Sequence, residues 1–277
     1  MRWIAVISLL ACAVPAPAQD KFQFFPVEKE VVLKRVQVVP QKNELRAESI
    51  KDLFAEAGCA DSVSEQKLAH SKYSNIICRL PGETDETIIV GAHYDKVTDG
   101  TGAIDNWTGA ALLSSLYEGL AKQTKRRHTF LFVAFCEEET GMAGSKFYVS
   151  RMTKGDVANT KAMVNMDTLG LSSTKIWVHR ADKSLVQALL TVAATLNLPA
   201  SEVDVEQVGT TDSESFATTH IPRITIHSVM QDNISILHTK RDTLKELHPD
   251  DYYDTYRLIS GYLVYVDQLV QPRATKK

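Results

Sequence analysis

Thr87-Ile88-Ile89-Val90-Gly91-Ala92-His93-Tyr94-Asp95 runs apolar as far as Ala92 and then turns into an imidazole and a carboxylate. An apolar run without polar alternation marks a strand covered on both faces, as in a parallel sheet between helices. The pattern recurs downstream. Thr129–Cys136 stops on Glu137-Glu138-Glu139, Ala162–Leu169 carries Asp167, and Arg223–His227 leads into a segment holding His238 and Asp242. Further strands are expected at Tyr73–Leu80 and Lys175–Val178, with a turn signal at Pro81-Gly82. Helical spacing is read at residues 41–57, 107–122, 142–151, 183–196, 213–219 and 250–270. Strands alternating with amphipathic helices predict the α/β class: a three-layer α/β/α sandwich around a mixed, mostly parallel sheet.

Composition narrows the function. The 277 residues carry 31 Lys and Arg against 34 Asp and Glu, a net charge of −3, which excludes nucleic-acid binding by bulk positive charge. A hydrophobic share of 44% excludes intrinsic disorder. Residues 1–18 read as a secretory signal: Arg2, then an apolar stretch to Val14, then the small residues of Ala16-Pro17-Ala18. Leu9-Leu10-Ala11-Cys12 also suits lipoprotein processing, but leaves an unusually short leader. Either reading places the mature chain, a single domain over 19–277, outside the cytoplasm, secreted or periplasmic, with no membrane span once the signal is removed. In that compartment Cys59 and Cys78 either pair or stay free, and Cys136, inside an apolar run, reads as a buried thiol. Nothing in the sequence sets the oligomeric state.

Ligands of such sheets bind beyond the carboxyl ends of the strands, and the polar residues gather there. His93 and Asp95, Asp105, the three glutamates, Asp167, His238 and Asp242 all fall at strand ends or in the loops that follow. Imidazoles and carboxylates together are zinc ligands, and crowded carboxylates repel one another unless a cation sits among them. Each has a plainer explanation. Asp105-Asn106 suits a helix cap, the glutamates suit a helix dipole, and His93 with Asp95 suits a solvated turn. Asp167 is the exception, because a carboxylate inside Ala-Met-Val-Asn-Met-Asp-Thr-Leu-Gly costs several kcal/mol unless paired. His70, His128, His179, His220, His227 and His248 lack such company and read as structural.

Gly91-Ala-His-Tyr-Asp95, Gly102-Ala-Ile-Asp-Asn106, Glu138-Glu-Thr-Gly-Met-Ala-Gly-Ser145, Asn165-Met-Asp167 and His238-Thr-Lys-Arg-Asp-Thr243 come in the order and approximate spacing of a known family. From about residue 45 onward the chain resembles the co-catalytic dizinc exopeptidases of metallopeptidase family twenty-eight. These include bacterial leucyl aminopeptidases, aminopeptidase Y, glutamate carboxypeptidase and, more distantly, glutaminyl cyclases. The resemblance implies two zinc ions per chain, with cobalt or manganese as substitutes. Asp105 would bridge them, His93 and Asp167 completing one site and Glu139 and His238 the other, with a shared water or hydroxide between. Asp95 would orient His93, and Asp242 would do the same for His238. Glu138 would be the general base. Spacing alone permits Glu137/Glu138 as readily as Glu138/Glu139, and the resemblance favours the second pair through Gly141 downstream. It also implies a cis peptide at Asp105-Asn106.

Two departures stand out. Thr211-Asp-Ser-Glu-Ser-Phe216 lacks the histidine many relatives carry, and Val208-Gly-Thr-Thr211 lacks their tyrosine donor. The resulting expectation is an aminopeptidase acting on peptides. The alternatives are a single-zinc glutaminyl cyclase, a carboxypeptidase using Arg180, Arg223 or Arg241 for the substrate carboxylate, and a non-catalytic binding ectodomain. Tyr94, Trp107, Met142, Phe216 and Ile236 are the residues considered for the pocket walls, each equally readable as core.

Overall fold

A computed structural model describes residues 23–205 and 209–269; the expected leader, Cys12 and Val208 lie outside them. The strands are β1 (Val63–Lys67), β2 (Ser74–Leu80), β3 (Thr87–His93), β4 (Thr129–Phe135), β5 (Thr160–Met166), β6 (Thr174–Trp177), β7 (Ala200–Glu202) and β8 (Arg223–His227). The helices are α1 (Lys29–Gln37), α2 (Asn43–Glu56), α3 (Thr108–Ala121), α4 (Ala143–Arg151), α5 (Lys154–Asn159), α6 (Lys183–Leu196) and α7 (Pro249–Leu269). Residues Asp212–Thr219 form a 3-10 segment rather than the α-helix expected there.

All eight strands join one sheet in the order β1-β2-β4-β3-β5-β8-β6-β7. Its centre, β4-β3-β5-β8, is parallel, while β1 with β2, β2 with β4, and β6 with β8 run antiparallel. The carboxyl ends of β3, β4, β5 and β8 therefore share one rim. Pro81-Gly82 does not close a hairpin, because β4 inserts between β2 and β3.

The apolar runs are apolar because both faces are covered. From β3 and β4, Ile88, Val90, Phe130, Phe132 and Ala134 enter the large core beneath α1, α2, α3, α6 and α7. Ile89, Val133 and Phe135 point the other way, into a smaller cluster with Tyr148 of α4 and Phe216. The sandwich is thus lopsided, with the longer helices on one side. Cys59 and Cys78 are paired, tying the end of α2 to β2, and Cys136 is a buried free thiol. Among the described residues no helix is long and apolar enough to cross a membrane.

The disulfide spans 19 residues, so opening it releases denatured-chain entropy worth about 3 kcal/mol. The double variant Cys59→Ser/Cys78→Ser is expected to lose that much in urea unfolding, and an unchanged midpoint would show the thiols unbridged in the purified protein.

Candidate metal centre

Each sequence-read donor is delivered to the shared rim by a different element. His93 is the last residue of β3, Asp167 directly follows β5, and Glu138 and Glu139 lie in the turn after β4. Asp105 comes from a wide turn, Ala103–Trp107, ahead of α3, and the Asp105–Asn106 peptide is cis, as the resemblance implies. His238 arrives on the loop after β8 with φ 58°.

The two oxygens of Asp105 face two separate groups. Oδ1 lies 3.2 Å from His93 Nε2, which is 3.5 Å from Asp167 Oδ1; Oδ2 lies 3.2 Å from His238 Nε2, which is 3.0 Å from Glu139 Oε2. Within each triad, His93-Asp105-Asp167 and Asp105-Glu139-His238, the donor atoms all fall within 4.8 Å of one another. With bonds of about 2.0–2.1 Å, ligands of a tetrahedral zinc stand about 3.4 Å apart, so both triads suit one ion each. Glu139 Oε1 and His93 Nδ1 are buried without a hydrogen-bond partner, a further sign that these groups are not a closed polar network of their own.

Neighbouring side chains hold the donors in place. Asp95, 3.5 Å from His93 Nδ1, accepts the backbone N–H of Glu138 (3.0 Å) and Glu139 (3.2 Å), joining the end of β3 to the glutamate turn. Glu137 is turned away and accepts from the Ser71 hydroxyl at 2.8 Å. Asn106 does serve α3 as a cap, accepting from the Gly109 N–H, but it also accepts from Thr168 N–H and donates to Met166 O. It thereby stitches the Asp105 turn to the end of β5. Thr211 donates to Asp167 Oδ2 at 2.7 Å and accepts from Asn165. The expected pairing of Asp242 with His238 is not what forms: Asp242 accepts the backbone N–H of Ile104 (2.7 Å) and Asp105 (3.3 Å). Those N–H groups are buried in a turn with no ladder to satisfy them, and Asp242 is their acceptor.

The site's electrostatics follow from burying many carboxylates together. Burial raises Asp105, but the imidazoles of His238 and His93 outweigh it and hold the carboxyl well below its ordinary value. Burial likewise opposes protonation of His93, and the carboxylates of Asp105, Asp167 and Asp95 overcome it, leaving that imidazole well above its usual range. His238, half exposed, is raised to about 10 by Asp105 and Glu139. Glu138 is pushed up to about 9, chiefly by burial. Asp212, buried with neither oxygen hydrogen-bonded, rises to about 7, also through burial.

The donors line a cleft together with Trp177, Val205, Val229, Leu237, Thr225 and His227. None of the five residues considered from sequence lines it. Tyr94, Trp107, Phe216 and Ile236 are core residues instead. Arg180 and Arg223 pair with Glu214, and Arg241 lies near Glu246; none of the three lines the cleft. His227 is the reverse case. Read as structural, it closes β8 and also reaches the cleft, with Nε2 donating to Val203 O and Nδ1 accepting from Val229 N–H.

Burial lowers His227 to about 4 from an ordinary 6.5. The unfolded chain therefore binds a proton that the fold refuses across that interval, and stability falls as pH drops from about 6.5 to about 4. The full effect is about 3 kcal/mol. In metal-free protein His227→Gln is expected to lose that much less than the parent between pH 7 and pH 4 in urea unfolding.

The sequence profile described as Peptidase family M28 matches residues 75–263, which hold every donor named above. The chain belongs to this family. Leupeptin-inactivating enzyme 1 of Streptomyces exfoliatus is 30% identical to the M28 chain over 151 residues, 53% of this chain and 34% of that protein. Leucine aminopeptidase 1 of Aspergillus niger is 24% identical over 238 residues, 77% of this chain and 61% of that protein. The chain spans less than two thirds of the length of these curated relatives. Among solved structures, the LapA aminopeptidase of Legionella pneumophila superposes with a TM-score of 0.71 at 16% identity, covering 96% of this chain and 81% of that one. A glutaminyl cyclase from an Acidobacteriales bacterium gives 0.71 at 18% identity, covering 92% and 99%. At these identities the two structures establish the shared fold.

Sequence reading of the M28 chain passed over Arg46, which lies ahead of the matched region and is buried against the donor loops. An arginine on an otherwise amphipathic helix carries no local signal that it points inward. Thr211 and Asn165, which fix Asp167, stand in the motif stretches, but nothing local gives either of them that role.

Proposed function

We propose that this M28 chain is a zinc-dependent aminopeptidase that releases N-terminal residues from peptides. The observation that carries the reading is the convergence of two donor triads on the two oxygens of Asp105, with Glu138 lining the same cleft but belonging to neither triad. His93, Asp105 and Asp167 would hold one ion, and Asp105, Glu139 and His238 the other. Bound there, the pair would supply Lewis acidity for the scissile carbonyl and for the attacking water. Glu138, whose ionised form the two cations would favour over the pull of burial, would take the proton of that water and hand it to the leaving amine. Asp95 would hold His93 and the glutamate turn in register, so that Glu138 and Glu139 keep separate tasks. The apolar wall of Trp177, Val205, Val229 and Leu237 would receive a substrate side chain while keeping bulk water off the reacting bond.

The absence of Arg180, Arg223 and Arg241 from the cleft speaks against carboxypeptidase recognition, which needs a cation for the terminal carboxylate. Export is supported by the leader-like residues 1–18 and by the Cys59–Cys78 pairing.

Metal analysis of the purified mature protein, run beside a panel of aminoacyl chromogenic substrates, tests this reading. Two zinc ions per chain and chelator-sensitive release of N-terminal residues are expected. One ion per chain with cyclisation of N-terminal glutamine would favour the cyclase reading, and full peptidase activity after rigorous metal removal would exclude metal catalysis altogether.

A further inference from the structure

Helix α2 sends one guanidinium inward, beneath the loops that bear the donors. Arg46 is 0% exposed, and four carbonyls take its N–H groups: Nε donates to Pro40 O at 3.0 Å, Nη1 to Tyr94 O at 2.9 Å, and Nη2 to Thr101 O at 2.6 Å and Gly102 O at 2.8 Å. Its Cζ lies 5.4 Å from the centre of the Trp107 ring. Tyr94 sits between His93 and Asp95, while Gly102 and Trp107 flank Asp105, so one side chain grips both donor-bearing segments.

The fit is close. Gly102 has φ +60°, and a Cβ there would stand 2.9 Å from Arg46 Nη2 and 2.5 Å from Lys96 Cβ. Backbone and guanidinium therefore meet only where residue 102 has no side chain. A buried cation is retained where its donors are satisfied and counter-charges stand near, and the nearby carboxylates are Asp242, Asp95, Asp105 and Glu139. Lysine cannot replace the grip, since a point ammonium lacks the planar fork that reaches carbonyls on opposite sides.

We infer that Arg46 is a positioning residue of the metal centre: by fixing the carbonyls of Tyr94, Thr101 and Gly102 it sets the spacing of His93 and Asp105, so that docking of α2 and metal binding strengthen each other. The inference rests on the metal-centre reading above. Linkage makes the coupling reciprocal: whatever α2 docking adds to metal affinity, metal adds to the docking of α2.

Zinc titration of the metal-stripped full chain, in competition with a chromogenic chelator, compares the parent with Arg46→Lys. The variant is expected to bind at least one zinc about tenfold or more weakly, as loss of an outer-shell support does, and to lose kcat with little change in KM. A variant whose metal-free form melts earlier but whose zinc affinity and kcat match the parent would reduce Arg46 to a packing role and overturn the inference. Should Arg46→Lys fail to fold, hydrogen exchange on the parent decides the matter. Zinc loading is expected to slow exchange within Asn43–Glu56 as well as around residues 93–107. Unchanged exchange in α2 would overturn the coupling. A parent that binds no zinc would instead overturn the metal centre itself, and this inference with it.

Discussion

Glu138→Gln is expected to lower kcat by roughly 10²- to 10⁴-fold while leaving the metal content of the protein intact. Gln keeps the size and most of the packing of Glu138 but has no basic oxygen to take a proton. Glu138 lines the cleft and belongs to neither donor triad, so its removal takes no side chain from either triad. Glu139→Gln supplies the control. Its Oε2 lies 3.0 Å from His238 Nε2 within the second triad, so weakened metal binding at that triad is expected. Swapped outcomes, with metal lost from Glu138→Gln and kept by Glu139→Gln, would show that the two glutamates have been given each other's roles. Glu137, hydrogen-bonded to Ser71, is expected to tolerate Gln with activity near that of the parent.

Asp105→Ala is expected to remove both ions at once and all turnover with them, because its two oxygens belong one to each triad. Metal loss also withdraws the stabilisation that a tight ligand gives the fold, about 4 kcal/mol at a free concentration a thousand times the Kd. Chelating the parent should therefore lower its melting temperature, and the Asp105→Ala protein should not respond to zinc. The imidazoles give this prediction a second readout. The neighbouring carboxylates raise His238 to about 10 and raise His93 as well, so both imidazoles favour the protonated form in the metal-free protein. An imidazole ligates a metal only in its neutral form, so loading both sites is expected to release protons. With one proton displaced per ion, affinity drops about tenfold per ion for each pH unit of acidification across the neutral range. Calorimetric titrations in buffers of different ionisation enthalpy measure the count, and zero release would contradict the assignment of His93 and His238 as ligands.

Much of the sheet was readable because burial on both faces leaves a local trace. A strand such as Thr87–His93 must be apolar at consecutive positions, and its end is marked by the first polar side chain. α1, Lys29–Gln37, is absent from the expected helices although it buries Val32 and Val36, and the other elements that escaped carry weaker traces. β1, Val63–Lys67, is a polar edge strand with no buried residue, and β7 is three residues long. α5 is six residues held by a Thr153/Asp156 capping box, a signal easily passed over between longer elements. β5 ends at Met166, ahead of the Leu169 that the apolar run suggests, because Asp167 already belongs to the rim.

At the candidate site the division is similar. Donor chemistry and strand ends narrow the candidates to His93, Asp95, Asp105, Glu137, Glu138, Glu139, Asp167, His238 and Asp242, and only the family resemblance assigns roles among them. The supporting contacts could not be picked out. Asp242 looked like a partner for His238 and instead satisfies two backbone N–H groups, while Arg46 and His227 had no motif to single them out.

By itself, then, the order of apolar runs and helical spacings determined the class of fold, and five short motifs determined which side chains were candidates for metal. Tertiary structure alone decided that Arg46 lies beneath the donor loops, that Glu137 faces Ser71 and not the cleft, and that Trp177 and not Trp107 walls the pocket. The reason is physical: strand and helix patterns are set by neighbours within a few residues, whereas a buried hydrogen bond or a pocket wall is set by groups dozens of residues away that meet only when the chain closes.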